Sequence, residues 1–137
     1  MEKNILVIDD EQTVLESFIK ILSRKGFNVD VTLSSRQGLA WVCQRPYDIV
    51  FVDMCMPDMG GIRMLVDIKG KKPHCCVVLI TGYGTRETAE LAHTFGADYY
   101  LEKPFTPEEL TSLVKTALGR TSKKPYPIQR EAEPIKA

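Results

Sequence analysis

Five polar residues stand where apolar runs stop. Asp9 and Asp10 follow residues 5–8, and Asp53 ends residues 49–52. Thr81 closes the run at 76–80, and Lys103 comes just after 99–101. Three carboxylates brought together repel one another, and something must neutralise them. A hard divalent cation such as Mg²⁺ suits oxygen ligands and commonly sits between one or two carboxylates and a phosphate; Mn²⁺ has similar tastes. Lys103 would add a second positive charge and Thr81 a hydroxyl donor. Carboxylate nucleophile, cation, lysine and hydroxyl are the parts that stabilise a transferring phosphoryl group. Each residue alone has a plainer role. Asp9-Asp10-Glu11 could cap a helix and oppose its dipole, Asp53 could cap a turn, and Lys103 could be a surface lysine. Their joint position at run ends is what points to chemistry.

The elements between these residues alternate. Residues 5–8, 49–52, 76–80 and 99–101 form short continuous apolar runs of the buried-strand type. Residues 27–33 alternate apolar and polar, which predicts a half-exposed edge strand with Leu33 on its apolar side. Residues 13–25 predict a helix with Val14, Phe18, Ile21 and Leu22 on one face and Gly26 as its stop. Ser35 is expected to cap a second helix carrying Leu39, Val42 and Cys43 on its inner stripe, with Trp41 off it at the surface. A third helix bears Ile62, Leu65 and Ile68, and a fourth runs from about 85 to 95, closed by Gly96. Thr106, Pro107 and Glu109 form a capping box for a fifth.

Five strands alternating with five helices predict an α/β fold, a doubly wound parallel sheet covered on both faces. In such a sheet ligands bind at the carboxyl ends of the strands, which is where the five polar residues lie. Residues 1–119 are expected to form the domain. Residues 120–137, with Pro125, Pro127 and Pro134 among charges, read as a flexible tail or truncated linker.

Composition narrows the function classes. The 137 residues carry a formal net charge of zero, so charge alone suggests neither a nucleic-acid nor a membrane partner. No run is long enough for a membrane span, and Met1-Glu2-Lys3-Asn4 does not resemble a signal peptide, so a cytoplasmic location is expected. Cys43, Cys55, Cys75 and Cys76 contain no C-x-x-C pair, and His74 and His93 lack zinc-ligand spacing. Small, partly buried, reduced thiols are expected.

With these residues in place, the chain resembles the receiver domains of two-component response regulators over residues 3–119. The likeness rests on Val7-Ile8-Asp9-Asp10-Glu11, on Asp53 through Gly61 with Met56-Pro57, on Ile80-Thr81-Gly82-Tyr83-Gly84, and on Tyr99 through Phe105. It implies a flavodoxin-like (βα)5 sandwich with strand order 2-1-3-4-5. It implies that Asp53 is the phosphoryl acceptor and that Asp9 and Asp10 organise Mg²⁺, Asp10 being preferred as direct ligand. The backbone carbonyl of Cys55 would be a further ligand. Thr81 and Tyr100 would be switch residues, Lys103 would pair with the phosphoryl group, and the Lys103–Pro104 peptide would be cis. Cys55 and Tyr83 would flank the path of attacking water. The implied partners are a sensor histidine kinase or phosphotransfer protein. A second copy is also implied, through the fourth helix, fifth strand and last helix, where Arg86, Glu87, Glu90, Tyr99 and Lys115 were assigned to the surface. No direct nucleic-acid binding is expected.

Two other functions compete. An aspartyl-phosphate phosphohydrolase of the haloacid dehalogenase type would want a second Asp two residues after the first, where this chain has Cys55. A flavodoxin-like cofactor binder would want a hydroxyl-rich loop after the first strand, where Asp9-Asp10-Glu11 would repel a phosphate.

Overall fold

The computed structural model describes residues 2–82 and 84–119; Tyr83 and the predicted tail at 120–137 lie outside the described residues. Strands β1 (Asn4–Ile8), β2 (Asn28–Thr32), β3 (Ile49–Asp53), β4 (Cys76–Thr81) and β5 (Tyr99–Glu102) alternate with helices. These are α1 (Gln12–Ser23), α2 (Ser35–Gln44), α3 (Gly61–Lys71), α4 (Arg86–Thr94) and α5 (Pro107–Gly119). The strands form one parallel sheet in the order β2-β1-β3-β4-β5, as expected. Among the described residues, no helix is long and apolar enough to cross a membrane.

Both faces of the sheet are buried, which explains the continuous apolar runs. Side chains alternate between faces along each strand. Leu6, Ile8, Val50, Val52, Val77, Leu79 and Tyr100 face one core, shared with Val42, Met64, Leu65, Ile68 and Ala89. Ile5, Val7, Ile49, Phe51, Val78, Ile80, Tyr99 and Leu101 face the other, against Leu15, Phe18 and Leu22 of α1 and Leu110, Leu113 and Val114 of α5. Phe18 packs edge-on against Phe51 and Phe105, with centroids 4.8 and 5.3 Å apart.

Helix ends follow local chemistry. Gly26 and Gly96 adopt φ of 91° and 101°, closing α1 and α4 in a conformation that favours glycine. In α5 the Glu109 carboxylate accepts from the Thr106 amide at 2.9 Å and the Thr106 hydroxyl accepts from the Glu109 amide at 3.0 Å, the predicted capping box.

Several expectations fail for identifiable reasons. Ser34, not Ser35, caps α2, accepting from the Gln37 amide at 3.1 Å. Ser35 is instead buried, and its hydroxyl donates to the Met59 carbonyl at 3.0 Å. At the end of β2 the alternation inverts. Leu33 is 49% exposed, while Thr32 is buried and bonded through its hydroxyl to the Gln37 side chain at 2.7 Å. Cys43 faces solvent, as does Cys55. Trp41 is partly buried against the core, with the Arg45 guanidinium 4.7 Å over its ring. Tyr99, assigned above to an outer surface, is 3% exposed because β5 turns it toward α5.

One glycine is set by close approach. A Cβ on Gly61 would lie 2.6 Å from the Met54 Cα and 2.8 Å from the Asp53 carbonyl oxygen, both backbone atoms that a side-chain rotation cannot move. Gly61→Ala is therefore expected to destabilise the fold by about 1–3 kcal/mol through overpacking. Urea unfolding checks this, and an unchanged midpoint would contradict it.

Candidate functional site

Sheet register does the first part of the positioning. Ile8 pairs with Val52, so Asp9 and Asp53, one residue further along, emerge side by side at the carboxyl edge. Asp53 pairs with Ile80, and Thr81 pairs with Glu102, the residue before Lys103. Amide bonds from Asp9 to the Thr32 carbonyl (3.2 Å) and from Lys103 to the Thr81 carbonyl (2.8 Å) carry the pairing beyond the strands. The Lys103–Pro104 peptide is cis.

The cluster that results is tight. Asp9, Asp10 and Asp53 each offer a carboxylate oxygen within 4.8 Å of the others. Lys103 Nζ lies 3.1 Å from Asp9 Oδ2, 3.0 Å from Glu11 Oε1 and 3.5 Å from Asp53 Oδ2. Asp9 is fully buried; its Oδ1 accepts from the Glu11 amide at 2.9 Å. Its buried Oδ2 is held by charge rather than by a well-directed hydrogen bond, facing the Lys103 ammonium at 3.1 Å. Asp53 Oδ1 accepts from the Cys55 amide at 3.3 Å.

Burial and crowding set the protonation. Burial pushes the Asp53 carboxyl up to about 6, with the Asp9 charge adding to the rise and Lys103 opposing it. Asp9 is raised as well, mainly by burial, against the Glu11 amide and Lys103. Burial disfavours the Lys103 cation, but Glu11, Asp9 and Asp53 outweigh it and hold the lysine firmly charged. One lysine does not neutralise this many acids. A set of hard oxygen donors left short of positive charge fits a divalent cation such as Mg²⁺.

Thr81 is 3% exposed. Its hydroxyl is hydrogen-bonded to the Tyr100 phenol, which is itself buried and lies 2.8 Å from Thr88 Oγ1. Thr88 in turn donates to the Thr85 carbonyl at 2.9 Å and accepts from the Thr85 amide at 3.1 Å, closing a capping box at the start of α4. A chain of hydroxyls thus runs from the sheet edge to a helix N-terminus.

The structure therefore brings together Asp9, Asp10, Asp53 and Lys103, and sets Thr81 beside them on the neighbouring strand. Cys55 follows Asp53 with its thiol in solvent. Tyr83 lies outside the described residues. Three contributors were not foreseen. Glu11 is a partner of Lys103; its only signal was adjacency to the acidic pair. Thr88 links Tyr100 to α4, and a hydroxyl three residues after Thr85 was a legible sign of it. The third is Asp58, in the loop after Asp53, whose carboxylate accepts from the Ser34 hydroxyl and the Ser35 and Arg36 amides. What burial it has would raise its carboxyl, but those amides and hydroxyl hold it below the usual range.

Residues 5–115 match the family described as response regulator receiver domain. The chain belongs to that family. This receiver domain is 36% identical over 118 residues to the transcriptional regulatory protein ZraR of Escherichia coli (strain K12), a match covering 86% of this chain and 27% of ZraR. It spans 60% or less of the length of the curated relatives it matches most strongly. The receiver domain protein of Clostridium thermocellum superposes with a TM-score of 0.80 at 38% identity, over 86% of this chain and 95% of that one. The CheY-like receiver domain protein of Methanospirillum hungatei JF-1 gives 0.82 at 30% identity, over 86% and 94%.

The raised Asp53 carboxyl has a consequence for stability. An acid whose folded pKa is raised binds more protons when folded, so its contribution is intact below pH 4 and lost as pH rises through about 6. Asp53→Asn is expected to stabilise the protein at pH 7.5 in chelator by roughly 1–3 kcal/mol, with the gain shrinking toward pH 4.5. Thermal unfolding of both proteins at the two pH values measures this. Equal stabilities at pH 7.5 would contradict it.

Proposed function

We propose that this receiver domain, residues 1–119, accepts a phosphoryl group on Asp53 and switches between two conformations that control an output. The domain works in the cytoplasm, and the donor is a phosphohistidine on a sensor histidine kinase or phosphotransfer protein. The observation that supports this most is the placement of Asp53: nearly buried, next to Asp9 in register, and 3.5 Å from the Lys103 ammonium.

In the transfer, an Asp53 carboxylate oxygen attacks phosphorus. An O–P bond forms as the N–P bond to the donor imidazole breaks. Its electron pair goes to the imidazole nitrogen, which takes a proton from solvent. Lys103 pairs with a phosphoryl oxygen and the Thr81 hydroxyl donates to another. Asp10, Asp9, Asp53 and the Cys55 carbonyl would hold Mg²⁺ or Mn²⁺, which would supply charge neutralisation at the transferring group.

Phosphorylation adds about two negative charges and strong acceptor oxygens. Drawing the Thr81 hydroxyl toward them takes it from the Tyr100 phenol. Tyr100 is then left with Thr88 as its hydroxyl partner, and the disturbance reaches the N-terminal cap of α4. This is a shift between two populations of one fold. On α4, Leu91 and Phe95 are each 44% exposed, one turn apart, and Arg86 pairs with Glu90 within the helix. A surface with that apolar strip suits self-association of a two-fold kind.

Three outcomes are expected. Acetyl phosphate with Mg²⁺ labels Asp53 by mass spectrometry; Asp53→Asn and chelator abolish labelling. Subsequent loss is slow, because the Cys55 thiol is a weak hydrogen-bonding group for holding water, and Cys55→Asn hastens it. Undiminished labelling of Asp53→Asn would sink the acceptor assignment, and an unchanged decay in Cys55→Asn would sink the water argument. The beryllofluoride-bound form is expected to sediment as a dimer, weakened in Leu91→Glu; a monomer at high concentration counts against the α4–β5–α5 face.

A further inference from the structure

The loop between β3 and α3, residues 54–60, carries the Cys55 carbonyl. It is fastened at three places. The Gly61 amide donates to the Met54 carbonyl at 3.0 Å. The buried Ser35 hydroxyl donates to the Met59 carbonyl at 3.0 Å. Asp58 reaches across to α2, its carboxylate accepting from the Ser34 hydroxyl at 3.2 Å, the Ser35 amide at 3.2 Å and the Arg36 amide at 3.1 Å.

The first amides of a helix have no partner within it. In α2, Ser34 satisfies the Gln37 amide, and a residue more than twenty positions away satisfies the two before it. Asp58 is thus a cap supplied from another part of the chain. Its negative charge also sits where the helix dipole favours it. The contact is bidentate in effect: one carboxylate oxygen meets Ser35, the other meets Ser34 and Arg36. Such an arrangement fixes the loop in both position and tilt.

We propose that Asp58 is a positioning residue for the divalent-cation end of the site. It holds residues 54–60 in the shape that presents the Cys55 carbonyl beside Asp53, so that cation binding need not order the loop. This rests on the proposed phosphoacceptor reading, in which that carbonyl is a ligand. A loop already in place loses little freedom when the cation binds; a loose one must be ordered first. Outer groups that orient metal ligands commonly govern affinity to a tenfold degree or more.

The test compares wild type, Asp58→Ala, Asp58→Asn and Ser35→Ala. Amide exchange is measured first, in chelator. Asp58→Ala should speed exchange at Ser35 and Arg36 and through residues 54–60, with Asp58→Asn intermediate, since it keeps an acceptor oxygen but loses the charge. Mg²⁺ titration by chemical shift should then show Asp58→Ala binding about tenfold more weakly. Labelling by acetyl phosphate should slow at low Mg²⁺ and recover at saturating Mg²⁺. A role in helix stability alone would lower the melting temperature without moving the Mg²⁺ affinity, and that result overturns the proposal. Unchanged exchange in Asp58→Ala overturns it too, while leaving the phosphoacceptor reading standing. Failure of wild type to bind Mg²⁺ overturns both. Should Asp58→Ala not fold, Asp58→Asn carries the same comparison at smaller amplitude.

Discussion

The Lys103 ammonium among the carboxylates of Asp9, Asp53 and Glu11 is the interaction on which the rest of the site depends. Parallel register forces Asp9 and Asp53 out of adjacent strands at the same level. Two neighbouring, nearly buried carboxylates are unfavourable without a counter-charge. Lys103 supplies one from the end of β5, two strands away from β3. The compensation is incomplete, as the Asp53 carboxyl near 6 shows. That shortfall leaves the site receptive to added positive charge.

Around this cluster the sheet is rigid and its loops are not equivalent. Every core strand residue of β1 and β3 is buried on both faces, so the carboxylates cannot separate to relieve their repulsion. Relief must come from what binds there. Polar contacts leave the cluster in two directions. One runs through the residues 54–60 loop to the start of α2, and the other through Thr81, Tyr100 and Thr88 to the start of α4. Both end on helix N-termini, where amides without internal partners accept outside capping at little cost.

Most of the fold was legible because buried parallel strands and capped helices write strong local patterns. The continuous runs at residues 5–8, 49–52 and 76–80 needed no long-range knowledge, and Thr106–Glu109 declared its own cap. The misreadings share a cause: a tertiary contact overrode a local preference. Ser34 and Ser35 are equally good caps in sequence, and only the Met59 carbonyl and the Asp58 carboxylate decide which one turns inward. Thr32 displaces Leu33 from the interior because Gln37 offers it a partner. Tyr99 is buried although it sits on an edge strand, since α5 covers that edge. At the site, the five strand-end residues were readable from the places where apolar runs stop. Glu11 as a partner of Lys103 was not, because the pairing joins residues 92 positions apart.

The two polar routes differ in stiffness, and the difference gives the proposed switch a direction. On the α2 side, Gly61 packs against backbone, Ser35 is buried and Asp58 grips two helix amides. On the α4 side, Gly82 has open space around it, and the contacts from Tyr100 onward are between hydroxyls that can exchange partners by rotation. Gly84 is the exception there, pressed against the Glu102 carboxylate, so the loop has one fixed point beside a free one. In the proposed switch, a phosphoryl group on Asp53 would act on both sides. The side held by backbone packing and charged capping resists, and the side held by rotatable hydroxyls yields. Displacement in the proposed switch would therefore be channelled toward α4, where Leu91 and Phe95 lie exposed, and away from the loop that carries the proposed carbonyl ligand.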